Sequence, residues 1–122
     1  MGDTTDPEIR ALEEYFASLD AAEFDRAADQ FTADVTYLHP PMYGDEIMID
    51  GREALRDFFV EVRGPQESRH HLERTLAGDD AVAAVGYVTL PGSDDPVEYF
   101  VSYAELVDDR IDYYIGGLLG ME

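Results

Sequence analysis

The spacing of apolar positions changes period along the first forty residues, and that change sets the order of elements. Ile9, Leu12, Phe16 and Leu19 recur at helical spacing, with Tyr15 on the same broad face. Thr5-Asp6-Pro7-Glu8 offers a capping box, or Asp6 as N-cap with Pro7 at the first helical position. Asp20-Ala21-Ala22-Glu23 reads as a second cap. Phe24, Ala27, Ala28 and Phe31 then share one stripe of a short second helix. From Val35 the period falls to two: Val35, Tyr37 and His39 alternate with Thr36 and Leu38, which predicts a strand. Pro40-Pro41 is expected to stop it, because proline cannot donate to a ladder, and 42–48 reads as a loop. Asp50, with Glu53 three residues on, is expected to cap a third helix. Its buried stripe is Leu55, Phe58, Phe59 and Val62, and Gly64-Pro65 ends it.

Beyond residue 66 the pattern is that of strands joined by turn signals. Strands are expected over 67–77, 81–90, 97–107 and 110–115. Gly78-Asp79-Asp80, the run PGSDDP at 91–96 and Asp108-Asp109 separate them. The predicted order is helix, short helix, strand, helix and a four-stranded meander. That is an α+β fold, with three helices packed on a strongly curved, mainly antiparallel sheet that forms a conical cavity. One domain over 1–122 is expected, since no repeat, linker or low-complexity stretch interrupts the chain.

Composition changes this picture in two ways. The chain has 122 residues, and its 28 acidic against 8 basic side chains give a net charge of −20. Hydrophobic residues make up 45%, so the charge does not imply disorder. All eight cations are Arg and none is Lys, while Asp outnumbers Glu by 16 to 12. High surface carboxylate without Lys looks like a protein from a salt-in halophile. At molar salt the Debye length is ~3 Å, so neighbouring carboxylates stop repelling one another. An acidic protein of ordinary habitat is the plainer reading. Either way the charge should repel nucleic acid and anionic membranes. With no Cys, disulfides, thiolate metal sites and cysteine nucleophiles are excluded. No apolar run approaches the ~20 residues of a membrane span. The acidic N-terminus is unlike a secretory signal, so a cytoplasmic location is expected.

The order of elements, with YFASLDAAEFDRAADQFTADVTYLHPP at 15–41 and IDGREALRDFF at 49–59, resembles the nuclear transport factor 2-like superfamily. That superfamily includes SnoaL-like polyketide cyclases and ketosteroid isomerase, and the resemblance spans almost the whole chain. It implies the cystatin-like fold, a homodimer through the outer sheet face, and a site between helices and sheet. By the same resemblance, the position of the isomerase's oxyanion tyrosine falls on Tyr15 and that of its base on His39. The position of its protonated Asp falls on Ser102. Both acids are thus replaced, which puts steroid isomerase activity in doubt. The replacements remain chemically coherent. Neutral His accepts a proton near working pH, and phenol and hydroxyl both donate to an oxyanion. SnoaL-like cyclases use a carboxylate on the last strand. The matching position is near Gly116, and Asp112 is the nearest carboxylate there, in phase with Tyr114.

Strand alternation adds the lining. Tyr37 shares the face of His39, and Phe100 shares that of Ser102. His70 and His71 are adjacent and must point to opposite faces. We assign His71 to the ligand set, with the choice between the two left open. The opposite face of the penultimate strand, Val97, Tyr99, Val101 and Tyr103, is apolar, which suggests a partner surface. Each site residue also has a plain reading. Tyr15 can be a core tyrosine, His39 a strand-end residue, and Ser102 inert. No phosphate-cradling glycine motif, GxSxG elbow or metal-binding spacing is present, so no cofactor or metal is expected. The function expected is binding of a small apolar or carbonyl-containing molecule, with cofactor-free proton transfer as its enzymatic form. A non-catalytic ligand-binding or dimerisation module, and a protein-binding adaptor, are the alternatives.

Overall fold

The first helix begins where Pro7 fits the one turn that needs no N–H donor. The computed structural model describes residues 6–42 and 45–119. Helix α1 (Pro7–Asp20) has Asp6 at its N-cap in extended conformation, although the Asp6 side chain makes no capping bond. Thr5 lies outside the described residues. The helix buries Ala11, Leu12, Tyr15, Phe16 and Leu19, the face its spacing predicts. It closes with Ala22 in the left-handed region (φ 59) and the Glu23 N–H donating to the Ser18 carbonyl at 2.9 Å. Helix α2 (Phe24–Ala28) follows. Phe31 does not extend it, as its sequence stripe suggested, but opens the first strand.

Strand β1 (Phe31–Met42) is longer than expected at both ends. It pairs antiparallel with β2 (Asp45–Asp50), so most of the expected 42–48 loop is hairpin. Residues 43 and 44 lie outside the described residues. Pairing breaks between His39 and Met42, so the two prolines fall where the ladder asks for no donors. Helix α3 (Arg52–Asp57) is capped at Gly51 and not at Asp50. Gly51 has φ +96, which lets the chain turn from β2 into the helix, while Asp50 still pairs with Thr36. The helix then widens into a π-helical stretch, Phe58–Arg63, ended by the Gly64 N–H on the Phe59 carbonyl at 2.9 Å. The wider turn brings Phe58 and Phe59 both inside and turns Val62, expected in the buried stripe, 48% exposed.

Strands β3 (Arg69–Gly78), β4 (Ala81–Thr89), β5 (Glu98–Val107) and β6 (Arg110–Leu119) form the meander. Asp79-Asp80 and Asp108-Asp109 make its two-residue turns with positive φ throughout, the geometry that matches strand twist. The open sheet runs β2-β1-β6-β5-β4-β3, antiparallel throughout except where β1 lies parallel to β6. Helices cover one face, and the core lies between them and Val82, Ala84, Val88, Phe100, Ala104 and Tyr114. Gly86 marks the tightest point. A Cβ there would sit 2.2 Å from the His71 carbonyl oxygen and 2.6 Å from the Phe100 ring. Among the described residues, no helix is long and apolar enough to cross a membrane.

Candidate active site

The parallel β1–β6 pairing sets Tyr37 opposite Tyr114, so their rings stack at 4.8 Å and 11°. Tyr15, on the buried face of α1, meets both rings nearly edge-on. Its hydroxyl lies 2.6 Å from that of Tyr37, and its ring centroid lies 5.4 Å from that of Tyr114. The Tyr114 hydroxyl in turn lies 2.8 Å from Ser102 Oγ, on the neighbouring strand β5. Four buried hydroxyls therefore meet as two hydrogen-bonded pairs, Tyr37 with Tyr15 and Tyr114 with Ser102. Burial pushes the Tyr114 phenol up to about 12, and the bond to Ser102 offsets only part of that. Tyr114 thus keeps its proton at neutral pH.

His39 extends the same face of β1. Its ring stacks on Tyr37 at 6.1 Å and meets the edge of Phe58 at 5.5 Å. On β3, His70 is the inward member of the adjacent pair. It stacks on Phe16 at 4.7 Å and meets Phe100 at 5.4 Å. Asp20, the last residue of α1, grips it twice. One carboxylate oxygen accepts from the His70 backbone N–H and the other from Nδ1–H, each at 2.7 Å. His71 takes the opposite face, stacked on Tyr87 with Nε2 2.8 Å from the Thr89 hydroxyl.

The four hydroxyls and the rings of His39 and His70 line a cavity of about 170 Å³. Tyr15, His39, Ser102, Tyr37, Phe100 and Tyr114, all singled out from the sequence, meet there. Two others do not. His71 is on the outer face, because β3 enters with His70 and Leu72 facing the core. Asp112 leaves the cavity because it is the extra residue of a bulge. Tyr113 pairs with Glu105 and Ile111 with Leu106, so the in-phase count from Tyr114 fails by one. Asp112 instead accepts from the Thr32 hydroxyl at 2.6 Å. Sequence reasoning left the choice between His70 and His71 open, and it missed Asp20, the partner of His70, and Glu98 and Gln66 on the cavity wall. Leu72, two positions after His70, was the signal for the inward histidine. Glu98 was in phase with Phe100 and Ser102.

The arrangement can hold a compact molecule. Drug-sized pockets run to roughly 300–1,000 Å³, so this cavity suits a single ring or a short chain. Its walls are aromatic, its floor donates hydrogen bonds, and two imidazoles stand at its sides. Among the described residues no cluster of three or more His, Asp or Glu could hold a metal ion.

A family model described as a SnoaL-like domain matches residues 12–114. The chain belongs to the SnoaL-like family. Solved structures agree on the fold. A candidate ketosteroid isomerase from Kribbella flavida is 20% identical, with TM-score 0.70 over 95% of this chain and 80% of that one. A nuclear transport factor 2-like protein of unknown function from Burkholderia pseudomallei is 15% identical, with TM-score 0.76 over 94% and 92%. An LEH-like epoxide hydrolase from M. tuberculosis is 18% identical, with TM-score 0.70 over 93% and 83%. No curated protein matches the chain in sequence. At these identities the neighbours fix the SnoaL-like architecture and leave the reaction to the side chains. The described lining of this SnoaL-like cavity carries one carboxylate, Glu98, and no arginine.

Proposed function

We propose that this SnoaL-like protein is a cofactor-free isomerase that moves a proton next to the carbonyl of a compact, largely apolar molecule. His39 is the base, and the hydroxyls of Tyr15 and Ser102 hold the oxyanion. The observation that carries this reading is the meeting of an imidazole and two hydrogen-bonded pairs of buried hydroxyls in one small aromatic cavity. Buried, preorganised donors stabilise developing charge strongly because little water competes. The test is solvent deuterium exchange into small ring ketones. His39→Ala should lower the rate by about 10²–10⁴ and leave the fold intact. An unchanged rate removes His39 from the mechanism.

A second reading, ligand binding without turnover, draws support from the same hydroxyls. Tyr15 and Tyr37 satisfy each other at 2.6 Å, so the cavity needs no substrate to stabilise them. It predicts saturable ketone binding with no exchange.

Two further properties belong to the proposal. The protein works as a homodimer joined through the outer sheet face. A shallow concavity of about 780 Å³ there is lined by Leu76, Val85, Val101, Tyr103 and Ile115. It also works in a cytoplasm of high salt, which its charge of −20 supports. Its melting temperature should then rise steeply from dilute buffer to molar KCl, and a flat response would remove that idea.

A further inference from the structure

The proposed reaction gives one imidazole two tasks, removing a proton from one carbon and returning it to another. The cavity holds a second imidazole on a different wall, and a carboxylate holds it in place. We infer that His70 is a second catalytic acid/base group of this cavity and that Asp20 is its positioning residue.

A carboxylate only accepts hydrogen bonds. The 2.7 Å contact between Asp20 and His70 Nδ1 therefore puts a proton on Nδ1. In the neutral ring Nε2 then carries the lone pair, and in the imidazolium it carries the transferable proton. Among the described residues Nε2 has no protein hydrogen-bond partner. The ring cannot turn easily, since Phe16 and Phe100 pack on it and the second Asp20 oxygen is tied to the His70 backbone N–H. The side chains of His70 and Asp20 are only 17% and 11% exposed. Asp20 also balances the charge of the imidazolium. This is the base-and-orienter geometry that acid/base catalysis needs.

The inference rests on the proton-transfer reading above and extends it to two bases. For a β,γ-unsaturated ring ketone, His39 takes the proton from the carbon between the carbonyl and the double bond. The C–H electron pair becomes a new C=C bond, and the carbonyl oxygen takes the negative charge, facing the Tyr15 and Ser102 hydroxyls. His70 Nε2 gives its proton to the γ-carbon, and the electrons return to re-form the carbonyl. Each turnover puts one proton on His39 and takes one from His70. Exchange with water restores both, and the reverse reaction exchanges their roles.

The probe is 3-cyclohexen-1-one in D₂O with molar KCl, followed by NMR. The wild type should form 2-cyclohexen-1-one with solvent deuterium at the γ-carbon in every turnover. His70→Gln should lower kcat by a hundredfold or more with KM within twofold. Asp20→Asn, which frees the tautomer, should lower kcat at least tenfold. Asp20→Glu should recover part of that loss, which a purely structural role would not predict. Transfer of the substrate's own hydrogen to the γ-carbon would mean a single base and overturn the inference. So would wild-type rates in His70→Gln, or in folded Asp20→Asn. In those cases the His39 reaction still stands. If the wild type neither isomerises nor exchanges the ketone, the proton-transfer reading itself fails and takes this inference with it.

Discussion

The two faces of strands β4, β5 and β6 are built from alternate residues of the same sequence, and they obey different rules. On the inner face Ser102, Phe100 and Tyr114 are at most 5% exposed, and each hydroxyl has a partner. On the outer face Val85, Val101, Tyr103 and Ile115 are 36–40% exposed and form an apolar field in a chain of charge −20. The inner face spends its residues on a fixed polar geometry. The outer face keeps apolar surface that a folded monomer does not need. The difference teaches that the polar residues inside, and the apolar residues outside, are the ones to explain by function.

The largest effect should come from crowding the inner face. Gly86→Ala puts a methyl group against a backbone oxygen and the Phe100 ring, and should cost about 3 kcal/mol in a denaturant titration. A loss under about 1 kcal/mol would mean that the inner face yields far more than described. Tyr114→Phe comes next. It leaves the Ser102 hydroxyl short of its partner and should cost about 1–3 kcal/mol. It also has a pH signature. The folded phenol is raised to about 12 from 10.0, so the unfolded chain loses its proton first as pH rises. The wild type should therefore lose stability as pH rises from about 10 to 12, and Tyr114→Phe should lose less of it. The smallest effect on folding should be outside. Val101→Glu should shift stability by only about 0.5 kcal/mol, yet turn a dimer into a monomer by light scattering in molar KCl. A dimer that survives the glutamate would move the interface elsewhere.

Most of the fold was legible because local signals and long-range pattern agreed. The face of α1, the turns at Asp79-Asp80 and Asp108-Asp109, and the inward run Phe100, Ser102, Ala104 could all be read from spacing alone. What could not be read was any change of phase inside an element. The bulge at Asp112, the π-helical turn after Phe58 and the continuation of β1 past Pro40 each add or skip a residue relative to a regular period. Nothing in side-chain polarity announces such a step. The site shows the same division. Tyr15, His39 and Ser102 came from the family resemblance, and Tyr37 from its strand alternation with His39. The Asp20–His70 pair was not legible, because it joins residues 50 apart in the sequence.

The central claim is that the cavity seats a ring-sized enolate with its oxygen on the buried hydroxyls, between two imidazoles. A crystal structure from molar KCl with bound phenol, a planar stand-in for that enolate, tests it most directly. The account predicts the phenol oxygen within hydrogen-bond reach of the Tyr15 or Ser102 hydroxyl, with the ring edge facing both His39 and His70 Nε2. A cavity without phenol at saturating concentration, or a phenol oxygen turned away from the hydroxyls, would contradict it.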